Sequence, residues 1–230
     1  MDKKILALVT AALGLSATVV AQEPISPLTH LLHARQAMSL QAYTGVVESL
    51  APLYRETWSM PIMGEEALYL DAIARSSMGV EEADLKLLNF IEQHPHSALL
   101  PYAQSRLGEW YYVRGDYSGA VYWLDRTDVT ALPEERAQAI DYYHAYSLMK
   151  TGSEEAALKL FLPLTYSRDF HSAAAFYGGY LLLKSDRASE GEKLLSGLYS
   201  NTTYGTEALA YVAESRLSQE DFEGALTLAQ

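Results

Sequence analysis

A two-helix pattern returns along this chain at a nearly constant interval, and that interval restricts the fold more than any other feature. The pattern is plainest in Leu107 to Asp125, LGEWYYVRGDYSGAVYWLD. Leu107 and Tyr111 lie four apart, so they share one face of a helix. Gly115 stops that helix, because glycine takes a positive φ without a Cβ clash. Tyr117, Ala120, Val121 and Leu124 then fall on one face of a second helix. Gly108 and Ala120 are small where two helix axes must approach to about 8–10 Å. Equivalent turns fall near Gln41, Met78, Gly115, Gly152, Asp186 and Glu220, at intervals of 37, 37, 37, 34 and 34 residues. One hairpin cannot bury its apolar face alone, so units that repeat must stack. The expected fold is all-α, a right-handed solenoid of about six helical hairpins.

The expected units span 26–60, 61–97, 98–132, 133–170, 171–204 and 205–230. Ser26-Pro27 opens the first, with Ser placed to cap a helix and Pro suited to its first turn. Val46 stands where later units carry Ala, so this unit is atypical. Tyr54 to Pro61 reads as a linker. The second unit carries Leu70, Ala74, Ala83, Leu87 and Pro95, and Pro101 begins the third. The fourth carries Ala145, Leu148, Gly152, Ala157 and Phe161, with Pro163 expected to end or kink its second helix. In the fifth, Gly191 replaces the small Ala at a cost of about 1 kcal/mol in helix propensity. The pattern reaches Gln230 inside the sixth unit with no polar closing element, so further repeats or a longer protein are expected.

Leu107-Gly108, Tyr111, Gly115, Ala120 and Leu124 together resemble the tetratricopeptide repeat, whose units place Leu-Gly, Tyr, Gly, Ala and a bulky residue at such offsets. Where that family has Trp, three residues before the Leu, this chain has Gln104. Its closing Pro would fall at Leu132, one residue before Pro133. The resemblance covers nearly all of 26–230. It implies protein–protein interaction rather than catalysis, and exported repeat proteins of this kind resemble outer-membrane assembly or cell-division coordinators.

Met1 to Ala21 reads as a secretory signal peptide of bacterial type. Lys3 and Lys4 supply the positive start, Ile5 to Val20 is apolar, and Val19-Val20-Ala21 puts small residues at the cleavage site. The run is short for a membrane span, which needs about 20 residues. The expected location is the periplasm or cell envelope, with no membrane span once the signal is removed. The chain has no Cys, which removes disulfides and zinc–thiolate sites. Its formal charge is -12, and loss of residues 1–21 takes away two Lys and one Asp, leaving -13. Such a charge opposes nucleic acid, whose binding depends on neutralising phosphates.

No residue set nominates a catalytic centre or a cofactor. Glu65-Glu66, Glu81-Glu82, Glu134-Glu135 and Glu154-Glu155 are paired carboxylates, but each is expected in the first turn of a helix, where the dipole favours negative charge. His30, His33, His94 and His96 lack the converging partners a metal needs. His33 and His144 hold the position of Leu107 and are expected to pack inward. Phosphate-binding glycine motifs and a nucleophile elbow are both missing.

The 17 tyrosines carry the functional expectation. In a stack of this kind the first helices line the concave face, and residues two, three and six before each turn point into it. For three units these are Glu109, Tyr112 and Val113, then Tyr146, Met149 and Lys150, then Tyr180, Leu183 and Lys184. Arg75 belongs to the second unit's share, and Tyr142 and Phe176 lie one turn earlier. The groove candidates are therefore Arg75, Tyr112, Tyr142, Tyr146, Met149, Lys150, Phe176, Tyr180 and Lys184. Tyrosine offers broad contact at low entropy cost, which suits a peptide or protein ligand. Packing between repeats is the competing role. The alternatives are a module for glycans or cell-wall fragments, and the repeat arm of a larger envelope protein or enzyme.

Overall fold

The computed structural model describes residues 26–55 and 61–228, so the expected signal segment lies outside the described residues. The described residues form twelve α-helices in six hairpins. These are α1 (Pro27–Ser39) with α2 (Tyr43–Leu50), α3 (Pro61–Ser77) with α4 (Ala83–Gln93), and α5 (Leu100–Val113) with α6 (Tyr117–Leu124). They continue with α7 (Glu134–Lys150) and α8 (Glu154–Leu164), α9 (His171–Leu183) and α10 (Ala188–Ser196), and α11 (Gly205–Ser218) and α12 (Phe222–Leu228). Tyr54 belongs to a 3-10 turn, Ala51–Arg55, and not to an open linker.

Five of the six hairpin turns close in the same way. Gln41, Gly79, Gly115, Gly152 and Glu220 take φ of 55°, 67°, 76°, 86° and 63°. Each donates its N–H to the carbonyl three residues back, and the next residue donates to the carbonyl five back. In the third turn these are Gly115 to Tyr112 at 3.0 Å and Asp116 to Tyr111 at 3.0 Å. This arrangement satisfies carbonyls that the helix end would otherwise leave open. The second turn is centred on Gly79, one residue past the expected Met78. The fifth turn departs from the pattern: Asp186 is not left-handed. Ser185 Oγ instead accepts the Arg187 N–H at 3.1 Å and donates to the Leu182 carbonyl at 2.9 Å. A serine hydroxyl can close a turn that has no residue in the left-handed region.

The helices form two layers. The first helices contact one another along the stack, α1 to α3, α3 to α5, α5 to α7 and α9 to α11, while each second helix from α2 to α10 lies between the first helices of its own and the next unit. Small residues set the distance inside each hairpin. Leu124 lies against Gly108 so closely that a Cβ there would come within 2.3 Å of Leu124 Cδ2. In the fifth hairpin a Cβ on Gly191 would meet the Gly179 carbonyl oxygen at 2.6 Å, so backbone approaches backbone and even Ala is too large. Phe90, Leu107, Ile140, Phe161 and Leu195 fill the spaces between hairpins and are fully buried. Pro163 stands one residue before the end of α8.

Several expectations need correction. His33 is exposed: Leu107 is buried against the preceding hairpin, and among the described residues α1 has no preceding hairpin. His144, by contrast, packs inward as expected, with Nε2 3.0 Å from Asp125 at the end of α6. Only Glu134-Glu135 and Glu154-Glu155 lie in a first helical turn. Glu81 and Glu82 precede α4, and Glu65-Glu66 lies beyond the first turn of α3. There Glu66 pairs with Arg35 of α1 at 2.5 Å, and Glu65 accepts from Ser97.

Candidate peptide groove

Two clefts open between neighbouring first helices. One, of about 440 Å³, has Tyr180, Leu183 and Lys184 on the α9 side and Tyr211, Glu214, Ser215 and Ser218 on the α11 side. The other, of about 340 Å³, runs from Ser76, Ser77 and Met78 at the end of α3 to Arg106, Glu109, Trp110, Val113 and Arg114 of α5 and the residue after it. Positions two, three and six before a turn recur in these walls: Tyr180, Leu183 and Lys184 in the first, Glu109 and Val113 in the second.

Between the clefts the tyrosines form one connected ring system. Tyr112 lies 4.6 Å from Tyr143 and 5.7 Å from Tyr146, centroid to centroid. Tyr146 lies 5.1 Å from Tyr177 of α9, and Tyr142 stacks on Phe170 at 5.1 Å. Phe176 stacks on Tyr204 at 4.8 Å, and Tyr180 lies 4.8 Å from Tyr211. Offset and edge-on contacts of this kind add to the value of burying the rings. Burial, chiefly, pushes the Tyr112 hydroxyl up to about 12, and it raises Tyr142 and Tyr177 further.

The groove candidates therefore divide. Phe176 is 7% exposed and sits in the core, against the expectation that it faces the groove. Its ring is enclosed by its α9 neighbour Tyr177 and by Tyr204 and Tyr211, which bring the next hairpin against it. Tyr142 and Met149 pack in the cluster around Phe161. Arg75 is held by the buried Asp71 carboxylate at 2.9 Å. Tyr112 and Tyr146 are half-buried in the ring system. Tyr180 is half-buried in a cleft wall. Lys150 and Lys184 are exposed, with Lys150 Nζ 5.8 Å from the Tyr146 ring centroid and Lys184 Nζ 5.4 Å from that of Tyr180.

Residues outside the candidate set also shape this face. Glu109 bridges Arg106 at 2.9 Å and Arg136 of α7 at 2.9 Å. Arg106 in turn donates to Ser76 and Ser77, each at 2.8 Å, so one polar cluster joins α3, α5 and α7. Arg114 lies 3.1 Å from the centroid of Trp110. The i, i+4 spacing of Trp110 and Arg114 matches that of Tyr146 with Lys150, a signal visible in the sequence. Among the described residues no three His, Asp or Glu side chains converge as a metal site, and no helix is long and apolar enough to cross a membrane.

No protein-family model and no curated protein matches the chain. Solved structures do. The crystal structure of YrrB, described as a TPR protein with an unusual peptide-binding site, superposes with a TM-score of 0.60 at 18% identity, over 81% of this chain and 88% of YrrB. MamA AMB-1 superposes with a TM-score of 0.60 at 14% identity, over 77% of this chain and 93% of MamA. At these identities the likeness is one of fold, and the chain has the tetratricopeptide-repeat fold, an α-solenoid of helical hairpins.

Proposed function

We propose that this protein is a non-catalytic scaffold that holds an extended peptide, or an extended segment of another protein, along the face formed by α3, α5, α7, α9 and α11. The observation that carries the proposal is the pair of clefts between successive first helices, walled by residues at repeating positions. The α9–α11 cleft combines the half-buried Tyr180 and Tyr211 with the exposed Lys184, and the α3–α5 cleft presents the exposed Val113 and Arg114, which gives apolar contact together with polar anchoring. The peptide-binding site reported for YrrB, which shares the fold, supports the same use here. The signal-like sequence of residues 1–21 supports a site of action in the periplasm or cell envelope.

A photo-crosslinking residue tests this. It is placed at Val113 or Ser218, both exposed at the cleft walls, and as a control at Lys159 on the outer helix α8. Cross-linking in the native cell should join a polypeptide at Val113 and Ser218 and not at Lys159. Equal cross-linking at Lys159, or none at the cleft positions, would sink the proposal.

A further inference from the structure

The arginines of α3, α5 and α7 are each paired with a carboxylate: Arg75 with Asp71, and Arg106 and Arg136 with Glu109. Arg114, the residue after α5, is not. It is exposed on the wall of the α3–α5 cleft, and among the described residues no carboxylate lies within ion-pair reach of it. Asp116, two residues on, instead caps α6 by accepting the Gly119 N–H at 2.9 Å. Around this cleft three arginines therefore share one carboxylate, on a chain whose formal charge is -12.

Arg114 is also held in position. Its guanidinium lies 3.1 Å from the centroid of the Trp110 ring. Trp110 is buried in the cluster that contains Phe90 and Leu107, so the platform under the cation is part of the core. Stacking occupies a flat face of the guanidinium and leaves its N–H edge open for in-plane hydrogen bonds. That edge matches the two oxygens of a carboxylate. Beside it, Val113 is 71% exposed and Met78 38% exposed, both on the cleft walls. The α9–α11 cleft has the opposite balance: Lys184 shares Glu154, and Glu214 adds a second carboxylate.

We propose that the α3–α5 cleft anchors an acidic side chain, Asp or Glu, of the bound polypeptide. Its carboxylate pairs with Arg114, and an apolar neighbour rests on Val113 and Met78. This deepens the scaffold function proposed above and rests on it. The guanidinium is already positioned on Trp110, so little ordering entropy is lost when the acid arrives. The α9–α11 cleft disfavours an acid, so the anchor sets which end of the face the acidic part of a ligand meets.

The test is an NMR titration of the full chain with two acetylated and amidated peptides, (Gly-Glu-Gly-Leu)3 and (Gly-Gln-Gly-Leu)3, following the Arg114 side-chain N–H. The Glu peptide should move this signal and bind at least about fivefold more tightly than the Gln peptide. Arg114→Gln should remove that preference, whereas Arg114→Lys, which keeps the charge and loses the fork, should keep part of it. Raising salt from about 0.05 to about 0.5 M should weaken the Glu peptide and not the Gln peptide, a readout that needs no variant. Equal binding of the two peptides, or a preference that survives Arg114→Gln, would overturn the inference. So would a Gln peptide with a free C-terminal carboxylate that binds as tightly as the Glu peptide, because the anchor would then read a chain end. If neither peptide binds but Val113 and Ser218 still cross-link a polypeptide in the cell, the inference fails and the scaffold function stands. If neither occurs, both fail.

Discussion

The joint between α5 and α7 and the joint between α7 and α9 both use aromatic rings, but only the first adds a network of ion pairs. At the first, the backbones lie close, Tyr112 packs on Tyr143 and Tyr146, and Glu109 links Arg106 and Arg136 while Arg106 reaches back to Ser76 and Ser77 of α3. At the second, few residues of the two helices approach closely, and the space is filled by rings: Tyr146 on Tyr177, Tyr142 on Phe170, with Phe161 stacked on Tyr177 at 5.8 Å. Ion pairs depend on direction and on salt, whereas ring burial depends on area. The difference teaches that a regular repeat can use locally different glue. It also explains why Tyr142, Tyr146 and Tyr177 are partly buried between hairpins.

The largest effect should come from the ring joint. Phe161→Ala removes a fully buried ring and should cost about 3–5 kcal/mol, read by urea denaturation. A cost below 1 kcal/mol would show that rings do not hold this joint. At the polar joint, Glu109→Gln removes the shared carboxylate from two arginines and should cost about 1–3 kcal/mol. Glu109 is partly solvated, so its wild-type advantage should shrink as salt rises from 0.05 to about 0.5 M. The same salt change should leave the cost of Phe161→Ala nearly constant, and parallel salt curves for the two variants would erase the contrast.

The smallest effect is a pH response at the junction of α6 with α7. Burial, opposed by Asp125, holds His144 below the ordinary imidazole value. The unfolded chain therefore takes up this proton at higher pH than the folded one, so stability is full above the unfolded value of about 6.5 and falls as pH drops below it. His144→Gln should remove part of the difference in denaturation midpoint between pH 7.5 and 5.5. An unchanged difference would exclude His144 from it.

Turn positions were legible in the sequence because helix stopping is local. Gly115 and Gly152 take left-handed backbone with little strain, and the shared offsets located Gln41 and Glu220 although neither is glycine. Gly108 and Ala120 were legible for a similar reason, since one hairpin sets their spacing. Phe176 was not: it is buried because Tyr204 and Tyr211 of the next hairpin cover it. The division of the groove candidates into packing and surface residues followed the same logic.

By itself the sequence determined the all-helical class, the hairpin period and the helix-ending chemistry, because these depend on residues within one turn of each other. The tertiary structure alone decided which tyrosines are packed, where ion pairs are added to rings between hairpins, and which cations remain open beside the clefts. Those outcomes depend on what the neighbouring hairpin presents, about 34 residues away in the chain and in contact only after stacking.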